Sequence, residues 1–261
     1  MAETKIVFDA ADDYERYMGR WSRAIGKNFI AWFAPPAKAE WLEVGCGTGA
    51  FSDLILRQCA PQSLTGIDPS REQIDYVRKR LPGHTFQVGD STAMTFGGDA
   101  FDIVASALVL HFIPDRAKAF AEMTRVLRPG GLLGGYTWKR TATDDFAAYA
   151  PILRGAERVG GEPLRSPVVP EGTLDGMRAS LGAAGLTDVV ATELEVTQTF
   201  ASFDEYWDVQ TFPFSASGKT VAKLDDAQRA ALRALLRETL RAADGTITYS
   251  AVAIAGKGRK P

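Results

Sequence analysis

Short apolar runs alternate with amphipathic stretches along this chain, most regularly between residues 39 and 138. The apolar runs at 39–44, 63–68, 85–88, 101–106 and 132–138 have the length of strands. Between them, stretches at 50–59, 70–80 and 114–127 carry apolar residues every three or four positions, the period of an amphipathic helix. Strands separated by helices need crossover connections, which make neighbouring strands parallel and put helices on both faces of the sheet. Two later strand-like runs, 189–200 and 247–255, bring the expected count to seven. The pattern therefore predicts an α/β fold with a doubly wound, mostly parallel seven-stranded sheet.

The rhythm fails in three places. Residues 12–36 hold two amphipathic helices, the first capped by Asp12-Asp13 and the second by Ser22, ending at Pro35-Pro36. Residues 139–172 mix a helical stretch (145–159) with Gly160-Gly161 and Pro163, Pro167 and Pro170. Residues 201–224 are irregular and aromatic. We read 1–261 as one domain: helices at 12–36, a core at 37–138, and two insertions after the fifth and sixth strands at 139–172 and 201–224. A helix at 174–185 and an alanine-rich one at 226–243 complete the order, and the basic tail 256–261 is expected to fray.

Composition narrows the class. With 261 residues, 46% of them hydrophobic and 24% charged, the chain can bury a full core. A formal net charge of -2 provides no field for gathering phosphates, which argues against nucleic acid as partner. The charged amino terminus lacks the apolar core of a signal sequence, and no run of about 18 apolar residues occurs; the expectation is a cytoplasmic protein without a membrane partner, monomer or homodimer. Cys46 and Cys59 read as buried thiols rather than a disulfide. Two histidines, His84 and His111, are too few for a structural zinc site, so no metal is expected.

The candidate chemistry starts at the first strand's end, where Glu43-Val44-Gly45-Cys46-Gly47-Thr48-Gly49-Ala50 runs into a helix. Glycines at alternate positions permit positive φ and let a ligand lie against the backbone. Gly45, Gly47 and Ala50 also satisfy the dinucleotide spacing, so the loop alone does not choose its ligand. Asp68 closes the second strand about twenty residues on, where a carboxylate can accept from both hydroxyls of a ribose. Glu43, two residues before the first glycine, suits a cationic ligand better than a pyrophosphate.

Here the sequence resembles the class I S-adenosylmethionine-dependent methyltransferases, whose first motif reads acidic-x-Gly-x-Gly-x-Gly and is met by Glu43, Gly45, Gly47 and Gly49. Further matches are Gly89-Asp90-Ser91-Thr92-Ala93, Ala107-Leu108-Val109-Leu110-His111 and Leu127-Arg128-Pro129-Gly130-Gly131, similar to the family's type 11, small-molecule branch. The resemblance covers residues 12 to 138. It implies a Rossmann-like methyltransferase fold with a helical amino-terminal lid, S-adenosylmethionine as cofactor and S-adenosylhomocysteine as product. By the same resemblance Tyr17 and Arg20, within Tyr14-Glu15-Arg16-Tyr17-Met18-Gly19-Arg20-Trp21-Ser22, would close over the cofactor. Gly45, Cys46 and Gly47 would cradle it, with Asp68 and Pro69 at the ribose. Asp90, Ser91 and Thr92 would read adenine, and Ala107 and Leu108 would lie along it.

The residues leave alternatives open. Asp90 could simply form a turn. His111 is the candidate base for a phenol, hydroxyl or acidic carbon, or it packs beneath the cofactor and bonds backbone. Tyr14, Tyr136, Trp138, Tyr149, Trp207 and Phe212 could line an acceptor pocket or belong to the core. For the whole chain, a methyltransferase of small molecules stands beside a non-catalytic binder of the same cofactor and a nicotinamide oxidoreductase. The tyrosine-lysine pair of short-chain dehydrogenases is missing, since Tyr76, Tyr136 and Tyr206 are followed four residues on by Arg80, Arg140 and Gln210. The two insertions are expected to roof the site.

Overall fold

The computed structural model describes residues 19–140, 147, 149–165, 168–213, 215–240 and 244–261, the side chain of Arg20 excepted. Its elements in chain order are α1 (Arg20–Phe33), β1 (Glu40–Val44), α2 (Ala50–Gln58), β2 (Ser63–Asp68), α3 (Arg71–Arg80), β3 (Thr85–Val88) and β4 (Phe101–Ala107). A 3-10 turn at Leu110–Phe112 leads to α4 (Arg116–Val126), β5 (Leu127–Trp138), α5 (Ala150–Arg158) and α6 (Leu174–Ala183). Then come β6 (Thr187–Phe200), α7 (Phe203–Gln210), α8 (Ala216–Ala222), α9 (Asp226–Leu240) and β7 (Ile247–Arg259).

Among the described residues the strands form one seven-stranded sheet in the order β3-β2-β1-β4-β5-β7-β6. The pairs from β3 to β5 are parallel, and β7 runs antiparallel to β5. The order reverses between β1 and β4, and in such sheets the crevice at the reversal is where ligands bind. The chain divides into two compact units. The core unit comprises Ser22–Lys139, Val168–Glu195 and Val252–Pro261; the other comprises Met1–Trp21, Arg140–Pro167 and Val196–Ala251. The segments expected as insertions, 139–172 and 201–224, fall mostly in the latter by residue number.

Within the core unit each face of the sheet has its own packing. Leu42, Val44, Ile67, Val104 and Leu133 form one cluster with Phe120 and Met123 of α4 and Met177 and Leu181 of α6. On the other face α1 brings Phe29 against Tyr136 at 4.8 Å between ring centroids, and Phe33 against Trp41 at 6.1 Å. Tyr136 is thus a core residue, 1% exposed. In the other unit α5 packs on α9, and Tyr206 stacks on Tyr249 at 5.4 Å. There Asp204 accepts from Arg233 at 2.7 Å and Arg237 at 2.6 Å, tying α7 to α9. Trp138, Tyr149 and Trp207 are buried and Phe212 is half-buried.

Several expectations are corrected. The tail does not fray: β7 continues to Arg259, pairing Leu132 with Arg259 through Trp138 with Ala253. Lys260 Nζ then donates to Asp99 Oδ1 at 2.7 Å and to the carbonyl of Leu127 at 2.8 Å. Small residues at 256 and 258 alternate with Lys257 and Arg259, so the segment reads as a polar tail although it fills a strand position. Ser22 lies inside α1 rather than at its start. Asp115, not Pro114, opens α4, its side chain accepting from the Lys118 amide at 3.0 Å. Helix α8 was not anticipated; Ser215 caps it by accepting from the Gly218 amide at 2.8 Å.

Candidate cofactor site

The glycine loop is shaped by contacts from both sides. Gly45, Gly47 and Gly49 hold φ of 77°, 52° and 82°, where a Cβ is strained. A Cβ on Gly45 would also lie 2.4 Å from a Val109 methyl, so β4's continuation presses directly on the loop. The loop's amides turn inward. Gly45 and Cys46 both donate to the Ile67 carbonyl at 2.8 and 3.0 Å, and Gly49 donates to the Cys46 carbonyl at 2.9 Å. Gly47 donates to Asp68 Oδ2 at 3.0 Å. A pyrophosphate cradle works by aiming N–H groups at the ligand, and here these four are committed within the protein.

Asp68 ends β2 with its carboxylate fixed at both oxygens, since Oδ1 accepts from the Ser70 amide at 2.9 Å. Each carboxylate oxygen has two acceptor positions, so a second one on each remains open to a hydroxyl donor. The group is 9% exposed. Burial raises its pKa, opposed by the Ser70 and Gly47 amides. Pro69 follows immediately and Ser70 caps α3.

Glu43 lies deeper than a ligand-facing carboxylate would. It is 1% exposed, and the Ser52 hydroxyl of α2 donates to its Oε2. Burial pushes its pKa up to about 8; the Ser52 bond opposes the rise and the Asp68 carboxylate adds to it. Cys46 is buried in the loop, and its thiol is driven far up by burial and by the two carboxylates. Cys59, at the end of α2, is pushed up to about 11 by burial. Both cysteines are free thiols.

Beyond β3, Asp90 is exposed and its Oδ1 accepts from the Thr92 amide at 2.7 Å and the Thr92 hydroxyl at 2.8 Å. These bonds, the amide first, hold its carboxyl below the usual range. This is the turn geometry weighed above, with Ser91 and Thr92 half-buried beside it. Because β3, β2 and β1 are consecutive in the sheet, Asp90, Asp68 and Glu43 sit at successive strand ends.

After β4, Leu108 takes φ 58° and its amide donates to the Tyr136 carbonyl at 2.9 Å, which stitches the segment to β5. His111 lies in the following 3-10 turn, its Nδ1 3.3 Å from Thr137 Oγ1. Arg116 holds this turn from the start of α4. Its Nη1 donates to the Ile113 carbonyl at 2.9 Å, and its Nε pairs with the buried Glu171 at 3.1 Å. Ala107 and Leu108 are half-buried. Tyr17, Tyr14 and the side chain of Arg20 lie outside the described residues. Among the described residues no three His, Cys, Asp or Glu side chains are grouped to hold a metal.

Ser52, Thr137 and Val109 shape the site; the sequence showed Val109 only as part of the motif after the fourth strand and singled out neither of the others. Ser52 had one signal, a hydroxyl on the apolar face Phe51-Ser52-Asp53-Leu54-Ile55; the others act through strand neighbours far along the chain.

Residues 42–134 match the pattern of a methyltransferase domain family. A phthiotriol/phenolphthiotriol dimycocerosates methyltransferase of Mycobacterium ulcerans is 39% identical over 126 residues, 48% of this chain and 44% of that protein. The chain thus spans less than half the length of that curated relative. The YcgJ protein of Bacillus subtilis shares the fold at TM-score 0.58 and 17% identity, over 90% of this chain and 97% of that one. So does a phosphoethanolamine N-methyltransferase of Haemonchus contortus in complex with phosphomonomethylethanolamine and S-adenosylhomocysteine, at TM-score 0.59 and 16% identity, over 95% and 56%. Over residues 42–134, the chain is thus similar to a methyltransferase domain.

Proposed function

We propose that this protein transfers a methyl group from S-adenosylmethionine to an oxygen, nitrogen or carbon atom of a small-molecule acceptor. The observation that carries the choice of ligand is the inward commitment of the loop amides beside the fixed Asp68 carboxylate. A loop with these amides engaged suits a nucleoside lying on its glycines better than a pyrophosphate, which argues for this cofactor over NAD. The residues fit such a group: glycine surfaces for close approach, Asp68 for the ribose hydroxyls, and the Asp90-Thr92 turn at the neighbouring strand end for adenine.

Bound there, the cofactor supplies a methyl group made electrophilic by its sulfonium. The chain's tasks are to hold an acceptor in line and to keep water out, and positioning of this kind is worth on the order of 7 to 11 kcal/mol of barrier. For an acceptor that loses a proton we assign His111 as the base, with Thr137 beside Nδ1 setting the ring so that Nε2 takes the proton. The net charge of -2 supports a metabolite rather than a nucleic acid as acceptor. The aromatic segments at 139–172 and 201–224 are the parts we assign to acceptor recognition. The names of the mycobacterial and nematode enzymes, a dimycocerosates methyltransferase and an N-methyltransferase, support a small-molecule acceptor as well.

Calorimetric titration with S-adenosylmethionine and, separately, NADH tests the cofactor. Saturable binding of the first and none of the second is expected; tight NADH binding with indifference to S-adenosylmethionine would overturn the reading. Release of S-adenosylhomocysteine across a panel of phenols, amines and hydroxy acids tests turnover. Cofactor binding without release on any acceptor would make the protein a binder instead of an enzyme.

A further inference from the structure

We infer that Glu43 is a protonated carboxylic acid in the free protein and loses its proton when a cationic nucleoside occupies the glycine loop, so that the site discriminates ligands by the charge on their sulfur. This rests on the cofactor reading above and adds a role to Glu43 that a fixed carboxylate would not have.

The described residues around Glu43 argue for it. Glu43 pairs across the sheet with Gly66 on β2 and Ala105 on β4, neither of which brings a charge. From α2 it meets the Ser52 hydroxyl, while Asp53 of that helix is engaged with Arg57 at 2.9 Å. On α1, Arg23 and Lys27 are exposed. Asp68, two residues beyond Gly66 and so on the same face of β2, brings a negative charge. Cys46 brings a thiol whose ionisation is suppressed, and Tyr136, on that face two strands away, a phenol. Among the described residues no lysine or arginine pairs with Glu43, and a buried carboxyl without a cation keeps its proton. Its position above neutrality agrees, at about 8.

An arriving cation changes that balance, because an opposite charge nearby favours the ionised form. The O–H bond of Glu43 breaks, its electron pair stays on the carboxylate and the proton passes to buffer; nothing is oxidised or reduced. S-adenosylmethionine and S-adenosylhomocysteine both carry the amino-acid ammonium and carboxylate, and differ by the methyl group and the charge on sulfur. A difference in proton release between them therefore reports the sulfonium.

Isothermal titration with each nucleoside at pH 7, in phosphate and in Tris, counts the protons exchanged through the buffers' different ionisation heats. More protons are expected to leave with S-adenosylmethionine than with S-adenosylhomocysteine. The ratio of their affinities should move toward S-adenosylmethionine by on the order of tenfold between pH 6 and pH 9. Glu43→Gln, which keeps the shape of the protonated acid, should abolish both effects; the wild-type comparison stands even if that variant folds poorly. Equal proton release and a pH-independent ratio would overturn the proposal while leaving the cofactor reading intact. Failure of both nucleosides to bind at any pH would overturn the cofactor reading and this proposal with it.

Discussion

Gly45 is constrained twice over, by its φ of 77° and by the Val109 methyls that occupy the place a side chain would need. Gly45→Ala should therefore cost about 2 to 4 kcal/mol of stability, read as a lower midpoint in urea, and should weaken nucleoside binding beyond what the stability loss explains. A variant as stable as the parent would mean that Val109 yields easily and that the loop's shape does not depend on it. The glycine spacing was legible in the sequence because positive φ has a compositional signature. Val109's part was not, since it depends on how far β4's continuation leans back over β1. Glu43 shows the same limit: its place at a strand end could be read, but its burial depends on Ser52, nine residues on, and on small partners at Gly66 and Ala105.

Among the elements, β7 separates most sharply from what its sequence suggests. Its last residues pair with β5 and hand on to Lys260, whose ammonium reaches the Asp99 carboxylate and backbone carbonyls. Removing residues 256–261 should lower the melting temperature by several degrees or more, because it strips hydrogen-bond partners from an inner strand. An unchanged melting temperature would show that the pairing contributes nothing. The strands from β1 to β4 were legible because each is a short apolar run bounded by turn residues. Their neighbour β5 was read from residue 132, whereas it begins at Leu127. The register jumps from Phe101 opposite Leu127 to Ile103 opposite Leu132, so the Arg128-Pro129-Gly130-Gly131 turn bulges out within one strand. Such a bulge looks like a strand boundary in any linear reading.

For the molecule as a whole, the parallel half of the sheet followed from the alternation of elements, while the place where its strand order reverses and the division into two units did not. Strands β6 and β7 contribute residues to both units, and no composition shift marks where they pass between them. The proposed reaction bears on the whole protein too. A sulfonium already makes its methyl group electrophilic, so the proposed transfer is expected to proceed undiminished in EDTA; activity lost to the chelator and regained with Mg²⁺ would contradict this.

Strand β7 lies between β5 and β6, yet the ribosome makes it after both. Until it emerges, β5 presents a bare edge of unpaired backbone groups, the kind of template on which nascent chains stick to one another. Completion of the sheet thus waits on β7, and a stall or cleavage before residue 247 should leave a product that aggregates rather than a smaller folded protein.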